Sequence, residues 1–393
     1  MKYLNKEKGM EWIREEAGKW KVGGKRTVLV IVAVTTVVFA AVYMIRLLRH
    51  YDDYTVKASV EREDSSETEY MDFQGNLLKY NRDGAFYTEY KGELIWNYTY
   101  EMKTPTAKQC GEYVLIYDKG GTQLAILSPV GIKGNIKTSL PILDADVASK
   151  GTVAVLMQEE SVSYVELYDM EGKVLASGEL HGENSGYPLA LALSSAGDKL
   201  MVSMLDLREG SVKSIISFYH FGKEGKDAID NLVASYNYED LVIPQIDFVK
   251  KDKAVAFGDN QVIIYKNDAR CKEEKKMSFD NQIRSIFYNE TYFGVIADAI
   301  TEEGEAVNRM TVYSMNGFKK FEKNLEIDYN QMELMENNEI FVTNGKDVNI
   351  YTMQGIKKFA YTFETGIYKI IPEKSSGRYI FLESDKTEIV KVR

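Results

Sequence analysis

The sequence is poor in the residues on which many enzymes and metal proteins depend. It contains three histidines, two cysteines and six prolines among 393 residues. Cys110 and Cys271 form no zinc-type or redox-type spacing, and two lone cysteines are more typical of buried thiols than of a disulfide. His50 lies beside an apolar run, His181 in an expected loop and His220 at an expected strand end, so general bases are scarce.

Motifs that would indicate catalysis are also missing. The sequence has no P-loop, no nucleophile elbow and no His-Glu-x-x-His motif. Asp144 and Asp146 would point the same way on a strand and could bind a cation, but such acidic pairs are usually solvated. We therefore predict no catalytic, cofactor-binding or metal-binding residues, and a protein that is not an enzyme.

Charge is divided unevenly along the chain. Residues 1–50 carry ten Lys and Arg against four Glu, a net charge of +6, whereas the whole chain has a net charge of −10. The remainder therefore carries −16. An acidic body of this size repels nucleic acid, so we exclude a nucleic-acid partner.

One long apolar run stands near the N-terminus. Thr27–Ile45 reads TVLVIVAVTTVVFAAVYMI without a charge, and nineteen helical residues span roughly 30 Å, the thickness of a bilayer core. Thr35 and Thr36 are tolerable because their hydroxyls can bond back to carbonyls one turn earlier. No signal-peptide cleavage site follows the run. We predict a transmembrane helix over residues 27–48, through which the protein is anchored in the plasma membrane.

The charges that flank this run predict its orientation. Basic residues outnumber acidic ones before it, and Asp52 and Asp53 soon follow it. The positive-inside rule then places the tail, residues 1–26, in the cytoplasm and the large C-terminal domain outside the cell.

The body is rich in tyrosine and shows a degenerate repeat. Tyrosine accounts for 27 residues, a bias that favours strands. In the clearest units a strand ends at tyrosine and glycine follows four positions later, as at Tyr168, Tyr313 and Tyr351. A short apolar strand precedes each unit, and an earlier strand is often introduced by proline, as at Pro141, Pro188 and Pro244.

The spacing of this unit predicts the fold. Equivalent strands end at Tyr90, Leu127, Tyr168, Phe218, Tyr265, Tyr313 and Tyr351, with an eighth near Val390. Roughly 40 to 50 residues per four short strands is the period of β-propeller blades. We predict an all-β propeller of eight blades over residues 67–393, or of seven blades if a terminal unit is irregular.

The eighth unit has only three strands before the chain stops. An unpaired edge is normally covered, and Tyr54–Glu61 has strand character. Residues 49–66 are therefore predicted to be a linker that could supply the closing strand. The strand at Glu69–Phe73 is the alternative.

Several stretches resemble a known family. Leu94–Met102 followed by Pro105, then Pro141-Ile142 and Gly151–Val155, resemble an uncharacterised family of single-pass membrane-anchored propellers of Gram-positive bacteria. More distantly, the Gly92…Trp96 turn is similar to propellers of the quinoprotein and outer-membrane-assembly type. Quinone-binding members repeat a tryptophan in most blades, whereas Trp96 stands alone in this body, so that cofactor is not implied.

Function is predicted from architecture alone. Gly222–Ser235 and Ala299–Arg309 are longer than neighbouring connections, and insertions in repeats usually crowd one binding face. The leading hypothesis is a non-enzymatic protein-interaction scaffold with an envelope protein partner. The alternatives are a ligand or glycan sensor and an envelope hydrolase or lyase.

Overall fold

The computed structural model describes residues 29–39, 44, 48–160, 162–182, 186–250 and 252–393. The chain divides into two compact units, Met1–His50 and Tyr51–Arg393.

The first unit contains a helix over residues 29–39, inside the predicted transmembrane segment 27–48. The Thr35 and Thr36 hydroxyls donate to the carbonyls of Ile31 and Val32 at 2.7 and 2.8 Å, the predicted back-bonding. Among the residues described, no helix is both long and apolar enough to cross a bilayer. The predicted tail 1–26 and parts of the predicted span (27–28, 40–43 and 45–47) lie outside the described residues.

The second unit consists of eight antiparallel sheets of four strands, the blades of a β-propeller. Blade 1 contains β2 (Glu69–Phe73), β3 (Asn76–Tyr80), β4 (Gly84–Thr88) and β5 (Leu94–Thr99), and blade 2 contains β6 (Pro105–Cys110), β7 (Tyr113–Asp118), β8 (Gln123–Ser128) and β9 (Gly131–Lys137). Blade 3 contains β10 (Ile142–Val147), β11 (Val153–Glu159), β12 (Val162–Tyr168) and β13 (Val174–His181). Blade 4 contains β14 (Tyr187–Leu193), β15 (Lys199–Asp206), β16 (Lys213–His220) and β17 (Leu232–Glu239).

Blades 5 to 7 repeat this order, and blade 8 takes its fourth strand from the start of the unit. Blade 5 contains β18 (Gln245–Lys250), β19 (Lys253–Phe257), β20 (Gln261–Lys266) and β21 (Glu273–Ser278), and blade 6 contains β22 (Ile283–Tyr288), β23 (Tyr292–Ile300), β24 (Ala306–Ser314) and β25 (Lys319–Asn324). Blade 7 contains β26 (Gln331–Leu334), β27 (Ile340–Thr343), β28 (Asp347–Tyr351) and β29 (Lys357–Thr362). Blade 8 contains β30 (Ile367–Pro372), β31 (Arg378–Glu383), β32 (Lys386–Val392) and β1 (Tyr54–Glu61). Short 3₁₀ helices at Arg208–Gly210, Lys223–Gly225 and Ile229–Asn231 belong to blade 4.

The eight sheets confirm the eight-bladed prediction and exclude the seven-bladed alternative. The repeat unit identified in the sequence is the third strand of each blade, and the chain ends after the third strand of blade 8. The predicted turn glycines Gly172 and Gly317 have φ values of 81° and 72°, the left-handed conformation in which glycine carries no Cβ penalty.

Ring closure also follows the sequence prediction. Strand β1 pairs antiparallel with β32, from Tyr54 opposite Val392 to Glu61 opposite Lys386. Closure through Glu69–Phe73 is wrong, because that segment is β2, the first strand of blade 1. The pairing covers the edge of blade 8 and joins the two ends of the unit.

Strand directions define two faces of the ring. The turns between first and second strands and between third and fourth strands lie on one face, and β32 ends there, beside Tyr54. We call this the proximal face because the chain runs into the ring there. The distal face carries the turns between second and third strands and the connections between blades.

The core lies between neighbouring blades, which explains why second strands are apolar without alternation. In β7, Val114 and Ile116 pack towards blade 1, whereas Leu115 and Tyr117 pack towards blade 3. A strand buried on both faces reads as a continuous apolar run. The junction of blades 8 and 1 has the fewest fully buried apolar side chains, Leu77, Ile371, Ile380 and Leu382.

Candidate functional site

First strands of neighbouring blades contact one another around the centre of the ring, and β10 touches both β6 and β14. Several first strands carry charged residues. Lys108 lies on β6, Asp144 and Asp146 on β10, and Asp247 on β18. They line a cavity of about 380 Å³ together with Tyr288 of β22. Lys119 and Pro244, which belong to distal connections, also line it, so the cavity lies at the distal end of the channel.

Asp144 is the most heavily bonded of these carboxylates. Its Oδ1 accepts from the Lys108 ammonium and the Tyr117 hydroxyl, both at 2.9 Å, and its Oδ2 accepts from the Leu191 amide at 3.0 Å. The first two bonds tie blade 3 to blade 2, and the third ties it to blade 4. The residue is thus a link across three blades.

Asp146 repeats this pattern two residues further on. Its two oxygens accept from the amides of Val147 at 2.9 Å and Leu193 at 2.7 Å. As predicted, Asp144 and Asp146 point the same way, and they bind the backbone of β14. Both carboxylates therefore hold neighbouring blades together. The sequence had predicted only cation binding or solvation for this pair.

The cluster shifts the proton affinity of its members. Burial raises the pKa of Asp146 to about 6, although Lys108 opposes this shift. Burial also raises the pKa of Asp247, whose Oδ2 accepts from the Tyr288 hydroxyl at 3.0 Å. Burial alone would lower the pKa of Lys108, but Asp146 and Asp144 outweigh it and the pKa lies above its usual value. One ammonium therefore compensates several carboxylates.

A second group of polar residues lies on first strands of the opposite blades. The Lys369 ammonium of β30 binds the Glu333 carboxylate of β26 at 2.8 Å. The Tyr90 hydroxyl donates to Asp72 of β2 at 2.6 Å, and burial raises the pKa of that carboxyl. Charged residues therefore line both sides of the channel, largely paired with one another.

The histidines and cysteines do not converge. His181 belongs to β13 rather than to the expected loop, and it ends that strand on the distal face. His220 ends β16 on the proximal face, as predicted for a strand end. Cys110 and Cys271 are free thiols in blades 2 and 5, and burial raises the pKa of Cys271 to about 11. Over the described part of the chain, no cluster of three or more His, Cys, Asp or Glu side chains has the arrangement of a metal site.

The two long segments predicted to crowd one face lie on opposite faces, so that prediction is wrong. The 3₁₀ helices of Gly222–Ser235 are on the proximal face, and its last four residues belong to β17. Ala299–Arg309 is the distal hairpin of β23 and β24, with only Thr301–Glu305 outside the strands. The two segments join different strand pairs, third to fourth and second to third, and these turns alternate between faces.

The distal face is uneven because hairpins differ in length. The second and third strands have eight residues each in blade 4 and nine each in blade 6, against five and six in blade 5. Three extra residues lengthen a strand by about 10 Å. The hairpins of blades 4 and 6 therefore stand on either side of a lower blade 5, beside the channel cavity.

Exposed apolar side chains accompany these hairpins. Blade 4 exposes Tyr187 and Leu189 at the start of β14 and Leu207 and Val212 at the hairpin tip, and blade 6 exposes Ile300. We call these five residues the distal patch. Apolar side chains grouped beside a cleft are characteristic of interaction sites.

Sequence comparison assigns the family. The profile of the family of unknown function DUF5711 matches residues 47–392. The chain belongs to this family. No curated protein matches it significantly.

Solved structures agree with the fold. The chain is similar to BamB from Moraxella catarrhalis, with 11% identity, a TM-score of 0.51, and coverage of 86% of this chain and 100% of the other. It is also similar to Sqt1 from Saccharomyces cerevisiae, with 9% identity, a TM-score of 0.53, and coverage of 88% and 99%. Identities this low establish the propeller fold alone.

Sequence reasoning missed Lys108, Asp247 and the distal patch. A sequence signal was present for Asp247 alone, which stands between Ile246 and Phe248 in Gln-Ile-Asp-Phe, whereas Lys108 lies in the largely polar strand Pro105–Cys110. Their convergence could not be read from spacing, since they lie on different blades. The distal patch depends on the lengths of the hairpins. The periodicity of the sequence predicts these lengths only to within a few residues.

Proposed function

We propose that this protein is a membrane-anchored, non-enzymatic scaffold of the cell envelope that binds a protein partner on its distal face. The observation that carries the proposal is the cleft over blade 5, bounded by the long hairpins of blades 4 and 6 and edged by the distal patch. A partner segment placed there would bury Tyr187 and Leu207 on the blade 4 side of the cleft. Aromatic and apolar anchors of this kind dominate binding energy at protein interfaces.

The bonding of the channel carboxylates supports a role without catalysis. A general base needs an oxygen that can reach a substrate proton. Each oxygen of Asp146 accepts a bond from one backbone amide, and these bonds fix the carboxylate against β14. Asp144 accepts bonds from four donors, since the amide of Ala145 adds to those of Lys108, Tyr117 and Leu191. These groups act as inter-blade links in the proposed function.

The anchoring is supported by the uncharged run over 27–45 and by the excess of basic residues before it. The proposed topology has a cytoplasmic tail and an extracellular propeller.

Affinity purification from membranes tests the proposed partner. The tag belongs at the N-terminus, because the C-terminal Arg393 takes part in ring closure through its bonds to Asp53. A chemical crosslinker added before extraction should yield a stoichiometric envelope protein with the wild-type chain. The double variant Tyr187→Ser, Leu207→Asp should lose it, because the distal anchors become polar.

The matched control carries Leu94→Asp on the proximal face, where the side chain is also exposed. This control should retain the partner. Recovery of the same partner by the distal-face variant, or the absence of any stoichiometric partner, would contradict the scaffold.

A ligand sensor is the second candidate, and the channel cavity favours it. Its volume of about 380 Å³ lies within the range of small-molecule sites. Native mass spectrometry of the extracted protein would distinguish the two functions. A small molecule that co-purifies with the wild-type chain and not with Lys108→Met supports the sensor.

A further inference from the structure

The N-terminal end of the ring is fixed at its proximal face. The Tyr51 amide donates to the Lys358 carbonyl at 2.8 Å, and the Ala360 amide donates to the Tyr51 carbonyl at 3.1 Å. The Arg393 amide donates to the Asp53 carbonyl at 2.9 Å. These bonds hold residues 51–53 against blades 7 and 8 at the proximal face.

The same face carries an aliphatic rim on four consecutive blades. In blades 1 to 4, exposed aliphatic side chains lie within three residues of the start of the fourth strand. The rim consists of Leu94, Ile95, Val130, Val174, Leu175 and Ile229. At the corresponding positions blade 5 has Lys272 and Glu273, and blade 7 has Lys357. Blade 6 exposes Phe318 immediately before its fourth strand, so the exposed apolar side chains of this face are concentrated on blades 1 to 4 but not confined to them.

Chain length limits how far this face can lie from the anchor. The uncharged run ends at Ile45 and the first ring residue held by backbone bonds is Tyr51. The five intervening residues span at most about 18 Å when fully extended. A membrane segment that ends at Ile45 is therefore tethered to Tyr51 by no more than this length of chain.

We propose that the aliphatic rim of blades 1 to 4 is a lipid-contact surface that rests on the bilayer in which the chain is anchored. The inference deepens the proposed function and depends on its anchoring. Aliphatic side chains without a protein partner enter the boundary between headgroups and acyl chains to a depth of about 5–10 Å. Contact at this rim turns the distal cleft away from the membrane, towards a partner outside.

Depth-dependent fluorescence quenching on the full chain tests the rim. Cys110→Ala, Cys271→Ala provides a background without thiols, and a melting curve like that of the wild type establishes that it folds. Leu175→Cys and Leu207→Cys then receive an environment-sensitive label one at a time. These leucines are matched in exposure, at 54% and 53%, and lie on the proximal and distal faces. Both proteins are reconstituted into phosphatidylcholine vesicles, and quencher lipids spin-labelled near the headgroup are added.

The label at position 175 should lose at least about half of its emission and shift to the blue, as expected for a probe at the interfacial boundary. The label at 207 should be unaffected. If the chain floats with the vesicles and the label at 175 is not quenched, the lipid-contact rim is wrong while the anchoring stands. That result would also follow if a protein, rather than lipid, covers the rim. If the chain does not float with vesicles, both the anchoring and the rim are wrong.

Discussion

Asp53 and Arg393 join the two ends of the propeller. The Arg393 amide donates to the Asp53 carbonyl at 2.9 Å, and its guanidinium Nε donates to the Asp53 carboxylate at 2.8 Å. The guanidinium holds the pKa of Asp53 below its usual value. The two residues lie 340 positions apart in the sequence, and the ion pair they form is exposed to solvent.

A second contact at the closure is buried and should contribute far more. The Arg62 side chain is 4% exposed, binds Asp64 at 3.1 Å, donates to the carbonyls of Glu383 and Lys386, and lies 4.7 Å from the Tyr70 ring centre. Arg62→Met should cost about 3 kcal/mol, as for a broken buried pair. Asp53→Asn should cost far less than Arg62→Met, because solvent screens the exposed pair. Chemical denaturation of both variants measures the difference, and equal losses would contradict this assignment.

Removal of the closing strand should weaken the whole ring. Deletion of residues 54–62 exposes the edge of β32 and removes Tyr54 from its contacts with Tyr361 and Phe381, whose ring centres are 5.0 and 5.1 Å away. We expect the melting temperature to fall by several degrees, at roughly 2–4 °C per kcal/mol for a large domain.

The control for this deletion replaces Thr301–Glu305 by a two-residue Asn-Gly turn. That tip lies outside the strands, so its loss should change the melting temperature less. A terminal deletion that melts no lower than the shortened hairpin would show that β1 does not stabilise the ring.

Much of this architecture could be predicted from the sequence. Blade number, the third strand of each blade and the closing strand depend on local apolar runs and on glycine spacing, which recur along the chain. The proline-introduced strands near Pro141, Pro188 and Pro244 are the first strands of blades 3, 4 and 5. Local patterns suffice for these features because each blade repeats one supersecondary unit.

The candidate site could not be predicted in the same way. Asp144 binds the Leu191 amide 47 residues away, and this partner is fixed only when two blades meet. The opposite placement of Gly222–Ser235 and Ala299–Arg309 depends on which strands they join, and a length comparison carries no such information. Long-range geometry, rather than local pattern, determines the site.

The channel cluster predicts a pH-dependent effect of Lys108. The pKa of Asp146 is about 6 in the folded protein and about 3.9 in an unfolded chain. Its protonated form is therefore favoured by folding, so its contribution to stability is present below about pH 4 and is lost as the pH rises to about 6. Lys108→Met removes the compensating cation, raises this pKa further and should destabilise the protein at pH 8 more than at pH 5.

Urea unfolding of Lys108→Met and wild type at the two pH values measures this effect. Lys137→Met is the matched control, because Lys137 is an exposed lysine of the same blade. The control should cost little at either pH. A loss for Lys108→Met that is the same at pH 5 and pH 8 would contradict the proposed compensation.

The proposed topology predicts the outcome of limited proteolysis. Protease added to intact protoplasts should digest or release the propeller and leave a small membrane-bound fragment that contains residues 27–48. The positive-inside rule gives the physical reason, since the basic residues precede the apolar run. Complete protection of the propeller in intact protoplasts, with digestion only after lysis, would reverse the topology.

Site-specific photocrosslinking in cells tests the scaffold most directly. A photoreactive amino acid is introduced at Leu207 on the distal face or at Leu94 on the proximal rim, which are similarly exposed at 53% and 54%. The proposed function predicts a discrete protein adduct of constant size at position 207 and no protein adduct at position 94. Adducts at 94 alone, or at neither position, would contradict a protein-binding distal face.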